Sequence, residues 1–211
     1  MSKPLFNLFL LFSILSSTTA NHHHPPPKKP TNFIYSSCLT TQYPPLCYHT
    51  LSSFDTKIGQ SHRQLALTAL AISLSKARST SKFISQIKKI KGITQNELKG
   101  IKDCIDTMNN SVDQLKQSFE ELGNIGHTNG DDFMWHMSNV QTWVSAALTD
   151  QSTCFDGLND GKMHPNGAQI KSSVQIRVNS VAQVTSNALA LVNRYVTRYN
   201  NGHAHRGKNH P

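Results

Sequence analysis

The sequence predicts an all-α fold, an antiparallel four-helix bundle with two disulfides, and three observations carry that prediction. Apolar residues recur at alternating steps of three and four along four long segments, the spacing that lines one side of a helix. Turn-rich loops separate these segments and allow successive helices to lie side by side in opposite directions. Four cysteines, an even number, can then tie elements together.

The chain opens with Lys3, an apolar run from Leu5 to Leu15 and the small residues Thr18-Thr19-Ala20. This pattern reads as a secretory signal peptide over residues 1–20. Its apolar run, interrupted by Asn7 and Ser13, is too short to cross a hydrocarbon core about 30 Å thick. No later segment is apolar enough either, so no membrane contact is expected. Residues 21–32 form a leader rich in His, Pro and Lys with nothing apolar to bury, expected to stay extended. The folded domain is placed at 33–199, with the bundle over 59–199.

Ahead of the bundle, Cys38 and Cys47 stand nine apart around Tyr43-Pro44-Pro45, a turn-forming loop. The first bundle helix is expected from Gln60 to Lys89. Leu65, Ala69, Ile72, Phe83 and Ile87 form one stripe, and Leu67, Leu70, Leu74, Ala77 and Ile84 the next, giving a broad apolar face. Thr94-Gln95-Asn96-Glu97 then has the pattern of a capping box. Leu98, Ile101, Ile105, Met108, Val112, Leu115, Phe119 and Leu122 follow without a miss, and Gly123 ends the helix. A loop from Asn124 to Asp132 leads to Phe133, Met137, Val140, Val144, Ala147, Cys154 and Leu158, a stripe with polar Gln151 in one slot. Asp156-Gly157 should stop this third helix. After a loop from Gly157 to Gly167, Val174, Val178, Val181, Ala188, Val192, Tyr195 and Tyr199 mark the fourth, with Thr185 in the remaining slot. Residues 200–211 carry no apolar stripe and are expected to be a disordered basic tail.

Spacing alone leaves three disulfide connectivities open. The short Pro-containing loop favours a local Cys38–Cys47 bridge, leaving Cys104 and Cys154 on two separate helices. No Cys-x-x-Cys pair occurs, and no metal or cofactor is expected. Nothing looks catalytic. Asp150, Asp156 and Asp160 cluster near a helix end without a nucleophile at a defining spacing. Ser145 lies in Val-Ser-Ala rather than a nucleophile elbow, and His136 stands alone on a helix. Asn109-Asn110-Ser111 is a glycosylation sequon beside the core stripe.

The string from Trp143 to Asp150, followed by Thr153-Cys154 and Asp156-Gly157, resembles the signature of the plant invertase and pectin methylesterase inhibitor family. Cys38-Leu39-Thr40-Thr41-Gln42-Tyr43-Pro44 running to Cys47 resembles the family's amino-terminal hairpin, and Ser186 to Leu191 resembles its last-helix motif. The match runs in the family's order from about Ser37 to Asn193. It implies the four-helix bundle with an N-terminal helical hairpin, here over 33–58, and the Cys38–Cys47, Cys104–Cys154 pairing. A chain that stops soon after the bundle leads to the expectation of a free inhibitor, not a pro-region. The Pro-Lys-Phe tripeptide of the invertase branch is absent. That points to the pectin methylesterase branch, with acid invertase as the alternative target.

In that branch the bundle docks beside the enzyme's substrate cleft through polar helix faces. Carried onto this chain, the candidates are Lys102, Asp106, Asn110, Asp113, Gln114 and Gln117, with Asn139, Gln141, Thr142 and Ser145. The formal charge of +9 suits a polyanionic neighbour. No nucleic-acid-binding motif appears, and for a secreted plant protein the polyanion at hand is pectate, which the His-rich tails are expected to contact. A basic wall protein that binds pectate and inhibits nothing is a further alternative.

Overall fold

A computed structural model describes residues 32–87, 93–126, 130–158 and 165–206. The expected signal peptide and the leader through residue 31 lie outside them. The hairpin consists of α1 (Asn32–Cys38), α2 (Pro44–Leu51), a 3-10 turn (Ser52–Phe54) and α3 (Asp55–Ile58). The bundle is α4 (His62–Ile87), α5 (Gln95–Asn124), α6 (Asp131–Gly157) and α7 (Pro165–Arg206). No strand occurs among the described residues. α5 packs on α4 and α6, and α7 packs on the same two helices, so α5 and α7 face each other across a diagonal. The hairpin rests on α4 and α7.

Local chemistry explains where the helices begin. At α5, Glu97 N–H donates to Thr94 Oγ1 at 3.3 Å while Thr94 N–H donates to Glu97 Oε2 at 2.8 Å. This reciprocal pair satisfies two backbone donors that a helix start leaves open. At α6, positive-φ Gly130 makes the turn into the helix, and its N–H donates to the Tyr199 hydroxyl at 2.8 Å. Asp131 and Asp132 follow in the first turn, where carboxylates favour the helix dipole.

The third stripe is buried throughout: Phe133, Met137, Val140, Val144, Ala147, Gln151, Cys154 and Leu158 all face inward. Gln151 is fully buried and donates through Nε2 to Ser111 Oγ at 2.8 Å and Thr185 Oγ1 at 3.2 Å. The Thr185 hydroxyl donates in turn to Val181 O at 2.9 Å. One polar layer therefore joins α5, α6 and α7 at a single height. Sliding any of the three would strand a buried polar group, so the layer fixes their register.

The two disulfides are Cys38–Cys47 and Cys104–Cys154, which closes the three open connectivities to one. Several boundaries differ from expectation: α4 starts at His62 rather than Gln60, α5 passes through Gly123 to Asn124, and α6 starts at Asp131, inside the expected loop. α7 begins at Pro165, inside the expected loop, because the first helical position tolerates proline's missing N–H. α7 also runs to Arg206, so residues 200–206, expected to be disordered, are helical. Extending a helix already anchored by packing adds one hydrogen bond per residue ordered and needs no new nucleus, so a polar segment can continue it. Residues 207–211 of the tail lie outside the described residues.

Candidate functional site

The seam between α5 and α6 is built from matched pairs. Cys104–Cys154 staples it, with Cα atoms 4.2 Å apart. One end is closed by His136 Nδ1 donating to Glu121 Oε1 at 2.7 Å, and Asn139 Nδ2 donates to the same oxygen at 3.4 Å. Between staple and end, Asp150 sits beside Gln114. Burial raises its carboxyl above the ordinary value, an effect that Gln114, as its hydrogen-bond neighbour, opposes.

This geometry sorts the sequence candidates. Lys102, Asp106, Asn110, Asp113 and Gln117 are exposed along the outer face of α5, and Thr142 and Ser145 are exposed on α6. Gln114 and Asn139 instead turn into the seam and hold it together. Gln141 faces the other neighbour, donating to Asn193 of α7 at 2.7 Å. The sequon lies inside α5: Ser111 is fully buried and Asn109 Oδ1 accepts from Ser81 on α4. A glycan there would have to be added before α5 forms.

Three features escaped the sequence reading. Trp135 is 63% exposed at the start of α6, beside half-exposed Met134. A large exposed aromatic flanking a rigid seam is the kind of side chain that dominates protein interfaces. Asn187 of α7 clamps the hairpin, its Oδ1 accepting from Tyr43 N–H at 2.9 Å and its Nδ2 donating to Tyr43 O at 3.0 Å. The third feature is charge. α5 and α6 hold ten Asp and Glu against three Lys, whereas α4 and α7 hold nine Lys and Arg and no acid. Counting charge helix by helix would have found this segregation in the sequence.

Among the described residues no group of three or more His, Cys, Asp or Glu side chains could hold a metal ion, and no helix is long and apolar enough to cross a membrane. What the geometry offers is rigid, charged surface, the equipment of a protein that acts by binding.

The comparisons narrow that class. Residues 32–191 match the family model for plant invertase/pectin methylesterase inhibitor, and the chain belongs to that family of enzyme inhibitors, which are not themselves enzymes. It is 52% identical over 169 residues to pectinesterase inhibitor 9 of Arabidopsis thaliana, covering 79% of this chain and 81% of that one. A 21 kDa protein of Daucus carota is 42% identical over 171 residues, covering 81% and 87%. In fold, the chain resembles the crystal structure of a mutant form of a pectin methylesterase inhibitor from Arabidopsis, with a TM-score of 0.58 and 22% identity over 76% of this chain and 95% of that one.

Proposed function

We propose that this protein inhibits plant pectin methylesterase by docking the outer face of α5 and α6 beside the enzyme's substrate cleft, blocking entry of pectin. The observation that carries the reading is the 52% identity over 169 residues to a pectinesterase inhibitor. The stapled seam supports it physically. A surface already held rigid orders few side chains on binding and so loses little conformational entropy. Trp135 supplies an anchor near one end of this face, and Asp106, Asp113 and Thr142 supply polar contacts along it.

The enzyme's place of work is also part of the proposal. A cleaved signal peptide over residues 1–20 would deliver the chain to the cell wall, and the two disulfides suit an oxidising compartment.

Purified secreted protein added to plant pectin methylesterases, with released methanol as the readout, tests the reading. Methanol release should fall. Unchanged release from several such enzymes, with sucrose hydrolysis by an acid invertase stopped instead, would overturn the proposal in favour of the other branch.

A further inference from the structure

We propose that the groove between the hairpin turn at Thr40 and the carboxy-terminal half of α7 is a binding site for the free carboxylates of a polyuronate chain. The groove has a volume of about 600 Å³, and its polar lining comprises Thr40, Asn193, Arg194, Thr197, Arg198 and Asn201. Thr40 is held at its edge by Arg194, whose Nη1 donates to Thr40 Oγ1 at 3.3 Å. Arg194 Nε is buried and has no hydrogen-bond partner among the described residues. Neither Arg194 nor Arg198 pairs with a carboxylate there; the ion-pair contacts among these residues are Lys116–Glu120 and His136–Glu121. A guanidinium that lines a groove with no carboxylate beside it favours an anion there.

The surroundings strengthen that preference. α7 and its neighbour α4 contain no Asp or Glu at all, so nothing on the two helices offsets the groove's charge. His62, at the start of α4, records the resulting field: its imidazole is pushed below the ordinary value first by burial and then by Arg194 and Arg198. An anion seated on the two arginines would relieve part of that shift.

Shape and chemistry choose the ligand. Arg194 and Arg198 stand four residues apart on one helix face, about 6 Å along the axis. Side-chain amides and hydroxyls from Asn193, Thr197, Asn201 and Thr40 are interspersed with them. An open groove with guanidiniums among neutral hydrogen-bonding groups suits a polymer that carries carboxylates among hydroxyls. A polyuronate is such a polymer, and free uronates are what a pectinesterase produces from methyl-esterified pectin. The choice of uronate among polyanions rests on the function proposed above; the charge and shape of the groove do not. α7 lies diagonally across the bundle from α5, which leaves the outer face of α5 available while the groove is occupied.

The test uses the full secreted chain and a de-esterified oligogalacturonate, with its methyl-esterified counterpart as the neutral control. Affinity should fall by at least about tenfold in Arg194→Ala/Arg198→Ala, as expected for losing two charge-assisted contacts. Arg198→Glu should do the same, and because Arg198 is exposed this variant guards against a folding defect at Arg194. Lys82→Glu, an equal charge change on exposed α4 surface outside the groove, should cost less than about twofold.

In wild type, the His62 ring titration followed by NMR should move upward on addition of the oligomer, and should not move in Arg198→Glu. Equal loss in Lys82→Glu, equal binding of the methyl ester, or unchanged binding in Arg198→Glu would overturn the site. Retention that disappears only when residues 21–31 and 207–211 are removed would place the contact in the tails. Loss of pectin methylesterase inhibition in Arg198→Glu with uronate binding intact would make the groove a protein surface instead. Because binding is read directly, failure of the inhibitor reading leaves this test intact.

Discussion

The α5–α6 pair and the α4–α7 pair are built to opposite specifications. The first is acidic and joined by a long-range disulfide; the second is acid-free, basic and joined by packing with the hairpin laid over it. Charge of one sign concentrated on one pair would repel itself, but the two pairs share a bundle and attract each other across it. The difference teaches that the molecule's net charge of +9 conceals two faces suited to unlike partners. A docking face needs shape, which the staple preserves. A polymer groove needs uncompensated charge, which the absence of acids supplies.

Cutting the staple should have the largest effect. Cys104→Ser with Cys154→Ser opens a link across 50 residues, worth about 4 kcal/mol in the chain-entropy model. The melting temperature should drop by roughly 10 °C, and more than on removal of Cys38–Cys47, which spans nine residues. A larger drop from the hairpin bridge would mean that the basic pair with its hairpin, and not the acidic pair, carries the covalent stability.

Trp135→Ala should weaken inhibition of pectin methylesterase by about tenfold or more, the scale of an exposed aromatic anchor, and shift the melting temperature by less than about 1 °C. Full inhibition by this variant would remove the start of α6 from the docking face.

Gly100→Ala sharpens the comparison from the other side. Gly100 lies inside α5, and a Cβ there would meet the Gly157 carbonyl at 3.6 Å, an ordinary contact. The change should stabilise by about 0.5–1 kcal/mol through helix propensity. Destabilisation in calorimetry would show that the stapled seam is packed too closely to accept a methyl group.

The smallest effects are in pH, and they run in opposite directions on the two pairs. His62, next to the basic groove, is held below its ordinary 6.5 by burial and the two arginines. The unfolded chain then takes up its proton before the folded one does. Its contribution to stability is present above 6.5 and is lost as pH falls through the folded value. Asp150, in the acidic seam, is raised by burial against the opposing Gln114. Its contribution is present below the ordinary 3.8 and is lost as pH rises through the folded value. Melting curves against pH should show His62→Gln gaining a degree or so relative to wild type in mild acid, and Asp150→Asn gaining a similar amount near neutrality. Gains that fall in the same pH range for both variants would break the contrast between the pairs.

The sequence by itself determined the helices and most of their faces, because an apolar period is a local property that the chain states wherever it occurs. Every position from Phe133 to Leu158 in the α6 stripe is buried, including polar Gln151, and the box at Thr94 and Glu97 forms as its spacing requires. Local spacing also misled at the end of α7, where packing through Tyr199 lets the helix outrun its apolar stripe. Only the tertiary structure decided what the polar residues do. Gln151 was visible as a misfit, but its partners Ser111 and Thr185 lie 40 and 34 residues away. Asn187 was visible within a motif, but its task is to hold Tyr43 from 144 residues away. Arg194 and Thr40, 154 residues apart, become the wall of one groove only when α7 returns beneath the hairpin. A hydrogen bond between distant residues leaves no period behind, so the helices could be read in one dimension and the surfaces they build only in three.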